Sequence, residues 1–167
     1  MIKNCMYFCE GPCDEVLIKA LKEEPGFIAP GKTKVFNVIT NLIPKSVLLA
    51  IKPGTTVVFV FDTDVALTDK LKKNIEYIDK YCSKSKLVFL PQVKNLEDEL
   101  VRCSNVSKVT ELTQSKSISN FKTDFCRISN ARTVLSDHQI DVLRLWTTNP
   151  PEVFAFVPRN SGLIKIR

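Results

Sequence analysis

The run Thr56-Val57-Val58-Phe59-Val60-Phe61, six β-branched or aromatic residues without a break, constrains this chain more than any other stretch. It is opened by Pro53-Gly54 and closed by Asp62-Thr63-Asp64, and a short segment that is apolar at every position reads as a strand covered on both faces within a parallel sheet. In an open α/β sheet ligands collect beyond the carboxyl ends of the strands, and two acids stand at that end here. Asp62 and Asp64 point to the same side if the chain stays extended. Two carboxylates so placed repel each other unless a cation lies between them, and an all-oxygen site suits magnesium or manganese better than zinc. Capping of the following helix is an equally good use for the same acids.

The rest of the chain alternates strands and helices. Residues 2–9 are mainly apolar and stop at Glu10-Gly11-Pro12, which predicts a first strand and a turn. Val16, Leu17, Ala20 and Leu21 then repeat at helical spacing behind Asp14 and Glu15, which suit the positive end of a helix dipole. A second strand is expected at 34–39 and a short helix at 44–51, started by Pro44. After Asp64, Leu67, Leu71, Ile75 and Ile78 form an apolar stripe over 66–81, so an amphipathic helix lies on the sheet. Residues 86–90 give the next strand, and Asn95 caps a helix that begins Leu96-Glu97-Asp98-Glu99-Leu100. Beyond Cys103 a strand is expected at 109–112, helices at 117–128 and 137–146, and strand-like segments at 153–157 and 163–166. The fold class is therefore α/β, with a mostly parallel central sheet flanked by helices and a small α+β C-terminal extension. Residues 1–167 form a single domain, with a core of about 1–105 and the extension at about 106–167.

Parallel strands end on one rim, about 5 Å apart from neighbour to neighbour, so Glu10 and the pair Asp62 and Asp64 can reach one cation. Glu97 follows a third strand and can reach the same rim, although acids in a first helical turn behind Asn95 are explained by capping alone.

These three motifs together, Glu10-Gly11-Pro12-Cys13-Asp14, Asp62-Thr63-Asp64 and Leu96-Glu97-Asp98-Glu99-Leu100, resemble the Toprim domain, most closely its overcoming-lysogenization-defect (OLD) nuclease branch. The resemblance covers about the first hundred residues. It implies a magnesium-dependent (or manganese-dependent) phosphodiester hydrolase, a nuclease acting on DNA or RNA. Carried over by position, Glu10 is the acid/base or metal-contacting glutamate, Asp14 its second acid, Asp62 and Asp64 the metal ligands, and Glu97 a ligand of a second metal. The chain departs from the pattern in two places. Val65-Ala66-Leu67 stands where many such domains have a glycine, and no G-x-x-x-x-G-K-[ST] motif is present, so an ATPase partner would be a separate protein.

Cleavage of a phosphodiester builds negative charge on the phosphoryl oxygens, which a base can neutralise, and Lys122, with Lys116 and Arg127 near it, is the candidate. A net charge of +6 favours an anionic partner, nucleic acid being the commonest, yet Lys70, Lys72, Lys73, Lys84, Lys86, Arg132, Arg159, Lys165 and Arg167 are scattered. Two other readings use the same acids: a regulatory, nucleic-acid-binding subunit that does not cleave, and a phosphatase on a small phosphorylated substrate. No apolar run approaches the roughly eighteen residues of a membrane span and no signal peptide is recognisable, so a cytoplasmic protein without a membrane partner is expected. Its six cysteines are then expected to be reduced.

Overall fold

In the computed structural model the unbroken apolar run forms β3, Thr56–Asp62, and β3 lies between two other strands as its covered faces require. The structure describes residue 2 and residues 4–166; position 3 of the expected first strand and Arg167 of the basic set lie outside the described residues. The chain runs β1 (Cys5–Cys9), α1 (Pro12–Lys22), β2 (Gly31–Val35), α2 (Lys45–Leu49), β3, α3 (Asp69–Tyr81), β4 (Lys86–Gln92) and α4 (Leu96–Arg102). It continues through α5 (Ile118–Arg127) and α6 (Ala131–Asp137), with single 3-10 turns at Val109–Leu112, Glu152–Phe154 and Ser161–Ile164. All pairings within the sheet are parallel and the spatial order among the described residues is β2-β1-β3-β4. The α/β class with a parallel sheet is thus the observed one.

Register explains the two cores. Tyr7 pairs with Val58, Phe8 with Phe59 and Cys9 with Val60, so neighbours in adjacent strands share a face. On one face Tyr7, Cys9, Val58, Val60, Val88 and Leu90 meet Leu17, Ile18 and Leu21 of α1 and Phe121 and Phe125 of α5. On the other, Phe8, Phe59 and Phe89 stack edge to face across three strands at centroid distances of 5.8 and 6.0 Å, covered by Leu48, Leu71, Ile78 and Phe154. Each such side chain contributes about 1.5–3 kcal/mol by leaving water. Buried Asn74 of α3 ties the second face to the loop after β2: its Oδ1 accepts from Ile43 N at 2.8 Å and its Nδ2 donates to Val38 O and Asn41 O. Asn160 closes the β4 edge like a strand would, accepting from Phe89 N and donating to Leu87 O, both at 2.9 Å.

Several boundaries differ from the sequence expectation. The second strand is β2, residues 31–35 instead of 34–39, because Gly31 lies so close to β1 that a Cβ would come 2.1 Å from Cys5 O. The strand ends where Asn37 Oδ1 accepts from Ile39 N and Thr40 N and bends the chain. The long helix starts at Asp69 instead of residue 66, leaving Leu67 exposed in the preceding loop. The strands expected at 109–112, 153–157 and 163–166 are 3-10 turns and loop, with one antiparallel bridge between Ile28 and Lys165. The helix expected at 137–146 is displaced to α6, since Gln139 adopts a left-handed φ of 53° and stops it, which puts His138 at its C-terminus.

The cysteines also require a correction. Cys13, in the first turn of α1, and Cys126, in the last turn of α5, form a disulfide across the contact of the two helices, with Cα atoms 5.0 Å apart. Both are part-exposed, unlike Cys5, Cys9, Cys82 and Cys103, which are buried free thiols as expected.

Candidate functional site

The order β2-β1-β3-β4 makes the chain leave β1 toward one side of the sheet and place β3 on the other. Helices on opposite faces diverge at such a switch point and open a crevice beyond the strand ends. Glu10 directly follows β1 and Asp62 ends β3, so these two acids stand at the mouth of that crevice.

Local structure then fixes each carboxylate. Glu10 reaches across to β3: its Oε2 accepts from Asp62 N and its Oε1 from Asn37 Nδ2, at 2.8 and 2.9 Å. Asp14, the third residue of α1, turns back to accept from Gly11 N at 2.8 Å, the cap its position in the helix demands. Its other oxygen accepts from Nε2 of Gln92 at 2.9 Å, and Gln92 pairs with Asp62 in the register of β3 and β4. Thr63 hydrogen-bonds Gln92 O and Lys94 O through its amide, so the chain bends after Asp62 and Asp64 sits in an exposed turn outside the strand. Asp62 and Asp64 are therefore not on one extended strand face. Nor do they cap a helix, because the N-cap of α3 is Thr68.

The third acidic group divides. Glu97 is largely buried and faces the crevice, where its Oε1 lies 3.1 Å from Nζ of Lys122. Asn95 caps α4, its Oδ1 accepting the Asp98 amide at 3.0 Å, and the Asp98 carboxylate lies toward Lys94. Fully buried Glu99 turns inward to Arg102 and to the amide of Trp146.

Electrostatics single out Asp62. Its Oδ1 is buried and has no hydrogen-bond partner. Burial first, then the charges of Asp14, Glu10, Asp64 and Glu97, push its carboxyl up to about 8. Burial also raises Glu10 and Asp14 above the ordinary carboxylate range, against the hydrogen bonds they accept. Lys122 is held above its ordinary value, chiefly by its hydrogen bond to Glu97 and further by Asp62 and Asp64. The crevice thus concentrates carboxyl groups that resist ionising together, and the ammonium of Lys122 lies against one of them, Glu97.

The structure brings Glu10, Asp14, Asp62, Asp64, Glu97 and Lys122 together from four separate segments: the turn from β1 into α1, the end of β3, α4 and α5. It does not bring Arg127, which lines a cleft of about 420 Å³ with Asp124 and Asn130, and Lys116 has no recorded contact with the acids among the described residues. Asn37 and Gln92 were missed, for a polar amide in a strand or loop carries no signal of the acid it will meet. A divalent ion that prefers oxygen fits the donor chemistry, and two buried oxygens here, Asp62 Oδ1 and Gln92 Oε1, have no hydrogen-bond partner. Among the described residues, no three His, Cys, Asp or Glu side chains are arranged to close around an ion as they stand, since Glu10 and Asp14 spend both oxygens on protein donors. No protein-family model, curated protein or solved structure gives a significant match to this chain.

Proposed function

We propose that the chain is a metal-dependent phosphodiester hydrolase, a Toprim-like nuclease acting on DNA or RNA. The observation that carries this reading is the buried, unpartnered Asp62 Oδ1 at the switch-point crevice, surrounded by four further carboxylates. Magnesium or manganese bound there would be held by Asp62, Asp64 and Glu97, with Glu10 and Asp14 behind them, and would supply activation of a water and stabilisation of the leaving oxygen. Glu10 fixes the Asp62 backbone, and Gln92 fixes Asp14, so neither acid wanders when the crevice fills. Lys122, on exposed α5, brings a positive charge to where phosphoryl oxygens gain negative charge.

A non-cleaving, nucleic-acid-binding reading has one observation in its favour: the ammonium of Lys122 lies 3.1 Å from Glu97 Oε1 and offsets its charge. A metal-titrated panel of single- and double-stranded DNA and RNA separates the two. Hydrolysis by the wild type that is lost in Asp62→Asn supports the nuclease. Metal-dependent stabilisation with every substrate intact supports the regulatory subunit.

A further inference from the structure

A second concavity, of about 570 Å³, lies against the β1–β2 side of the sheet and α2, and none of the acids of the crevice is among its lining residues. Its walls include Lys32 and Lys34 of β2, Lys52 and Thr55 from the turn before β3, and Val47 and Ile51 of α2 and its end. Lys32 pairs with Met6 and Lys34 with Phe8, so both lysines rise from the face that α2 and α3 cover elsewhere, about 7 Å apart along the strand. Lys52 lines the same space.

Lysines on an edge strand discourage pairing with another chain, and that use explains Lys32 and Lys34. It does not explain a third lysine, Lys52, which lies outside that strand and lines the same cleft. Among the described residues no carboxylate lines the concavity and none of the three ammonium groups has an acidic partner. Like charges gathered over apolar walls focus a positive field into the cleft, because the walls screen poorly. The volume lies within the ordinary range for small-ligand sites, and Val47 and Ile51 offer an apolar surface for the uncharged part of a ligand. A lysine serves a phosphate as a point charge. We infer that this cleft binds a phosphate ester carrying an apolar or aromatic body, a nucleotide being the chemical type, at a site separate from the acidic crevice. The inference stands apart from the hydrolase reading, since it uses none of the acids.

Calorimetric titration in the presence of a chelator tests it, with adenosine 5′-monophosphate, adenosine and a 5′-phosphorylated ten-nucleotide strand as probes. The monophosphate or the strand binds at least tenfold more tightly than adenosine. The triple substitution Lys32→Ser, Lys34→Ser, Lys52→Ser weakens that binding tenfold or more with an unchanged melting curve, whereas Asp62→Asn leaves it as in the wild type. Binding of the monophosphate alone identifies a free nucleotide as the source of the phosphate, strand binding alone identifies a strand end, and equal affinity shows that the cleft reads the phosphate ester they share; all three support the site. Adenosine binding as well as its phosphate, no binding of either phosphorylated probe, or full binding by the triple variant overturns it. Lys34→Glu alone, which reverses a charge on an exposed side chain, gives the same loss if the cleft is the site.

Discussion

The amide of Asp62 donates to Oε2 of Glu10 at 2.8 Å, so an acid after β1 and an acid ending β3 share one hydrogen bond although 52 residues separate them. The bond holds Asp62 at the mouth of the crevice while leaving its own carboxylate unserved.

Asp62→Asn should stabilise the metal-free protein most at alkaline pH. The folded-state value of about 8 lies above that of an unfolded aspartate, so between roughly pH 4 and pH 8 the folded chain holds a proton that the unfolded chain has lost. Stability from this group is complete below that window and is lost as the pH rises through it. The substitution should therefore raise stability by about 2 kcal/mol at pH 8.5, allowing for water at a part-exposed group, and change it little at pH 4. Denaturant melts of both proteins across pH 4 to 9 read this directly, and a parallel offset at every pH would reject the buried charge as its cause.

Magnesium or manganese should raise the Tm of the wild type and of Lys122→Met, and should do so weakly or not at all in Asp62→Asn and Asp64→Asn, because binding to the folded state alone stabilises it. Scanning calorimetry with and without metal is the measurement. Metal shifts of wild-type size in both acid variants would remove the acidic crevice as the binding site.

Lys122→Met should lower any phosphodiester hydrolysis by about 10²-fold, the scale of losing one preorganised positive group, with stability changed by less than about 1 kcal/mol because the side chain is exposed. Single-turnover rates beside a urea melt separate the two effects. An unchanged rate would leave Lys122 as a partner of Glu97 alone.

Asn74→Leu should cost about 3 kcal/mol or more, since Ile43 N, Val38 O and Asn41 O lose their partner in a site where water does not reach. Equilibrium urea unfolding provides the number. A cost under about 1 kcal/mol would show that the loop after β2 finds other partners.

The Cys13–Cys126 disulfide closes a loop across a sequence separation of 113 residues, and Cys126→Ser should cost about 2–4 kcal/mol. Alkylation of the denatured chain without reductant should label Cys5, Cys9, Cys82 and Cys103 and spare the other two. Six labelled cysteines would show the bridge is not formed in solution.

The amino-acid sequence by itself determined the local elements whose signal is periodic or continuous. Thr56 to Phe61 could bury both faces only as an inner strand, the stripe of Leu71, Ile75 and Ile78 could pack only as a helix, and Asn95 placed the start of α4 to the residue. It also marked the acids at the strand ends, with metal binding and helix capping equally open for Asp62 and Asp64. The tertiary structure decided which strand ends meet. Parallel neighbours are joined by long crossovers, so no short-range pattern says that β1 lies between β2 and β3, and without that order Glu10 and Asp62 are merely two acids far apart in the chain. The same holds for Gln92 against Asp14, 78 residues apart, and for Lys122 against Glu97, which meet only because Phe121 and Phe125 bury α5 against the sheet beside α1. The C-terminal segments read as strands because their apolar residues follow one another, but they bury only some of them, Phe154 and Val157 three residues apart into one core and Ile164 into the other, and a chain that inserts side chains at that spacing gains more from tight 3-10 turns than from an extended run.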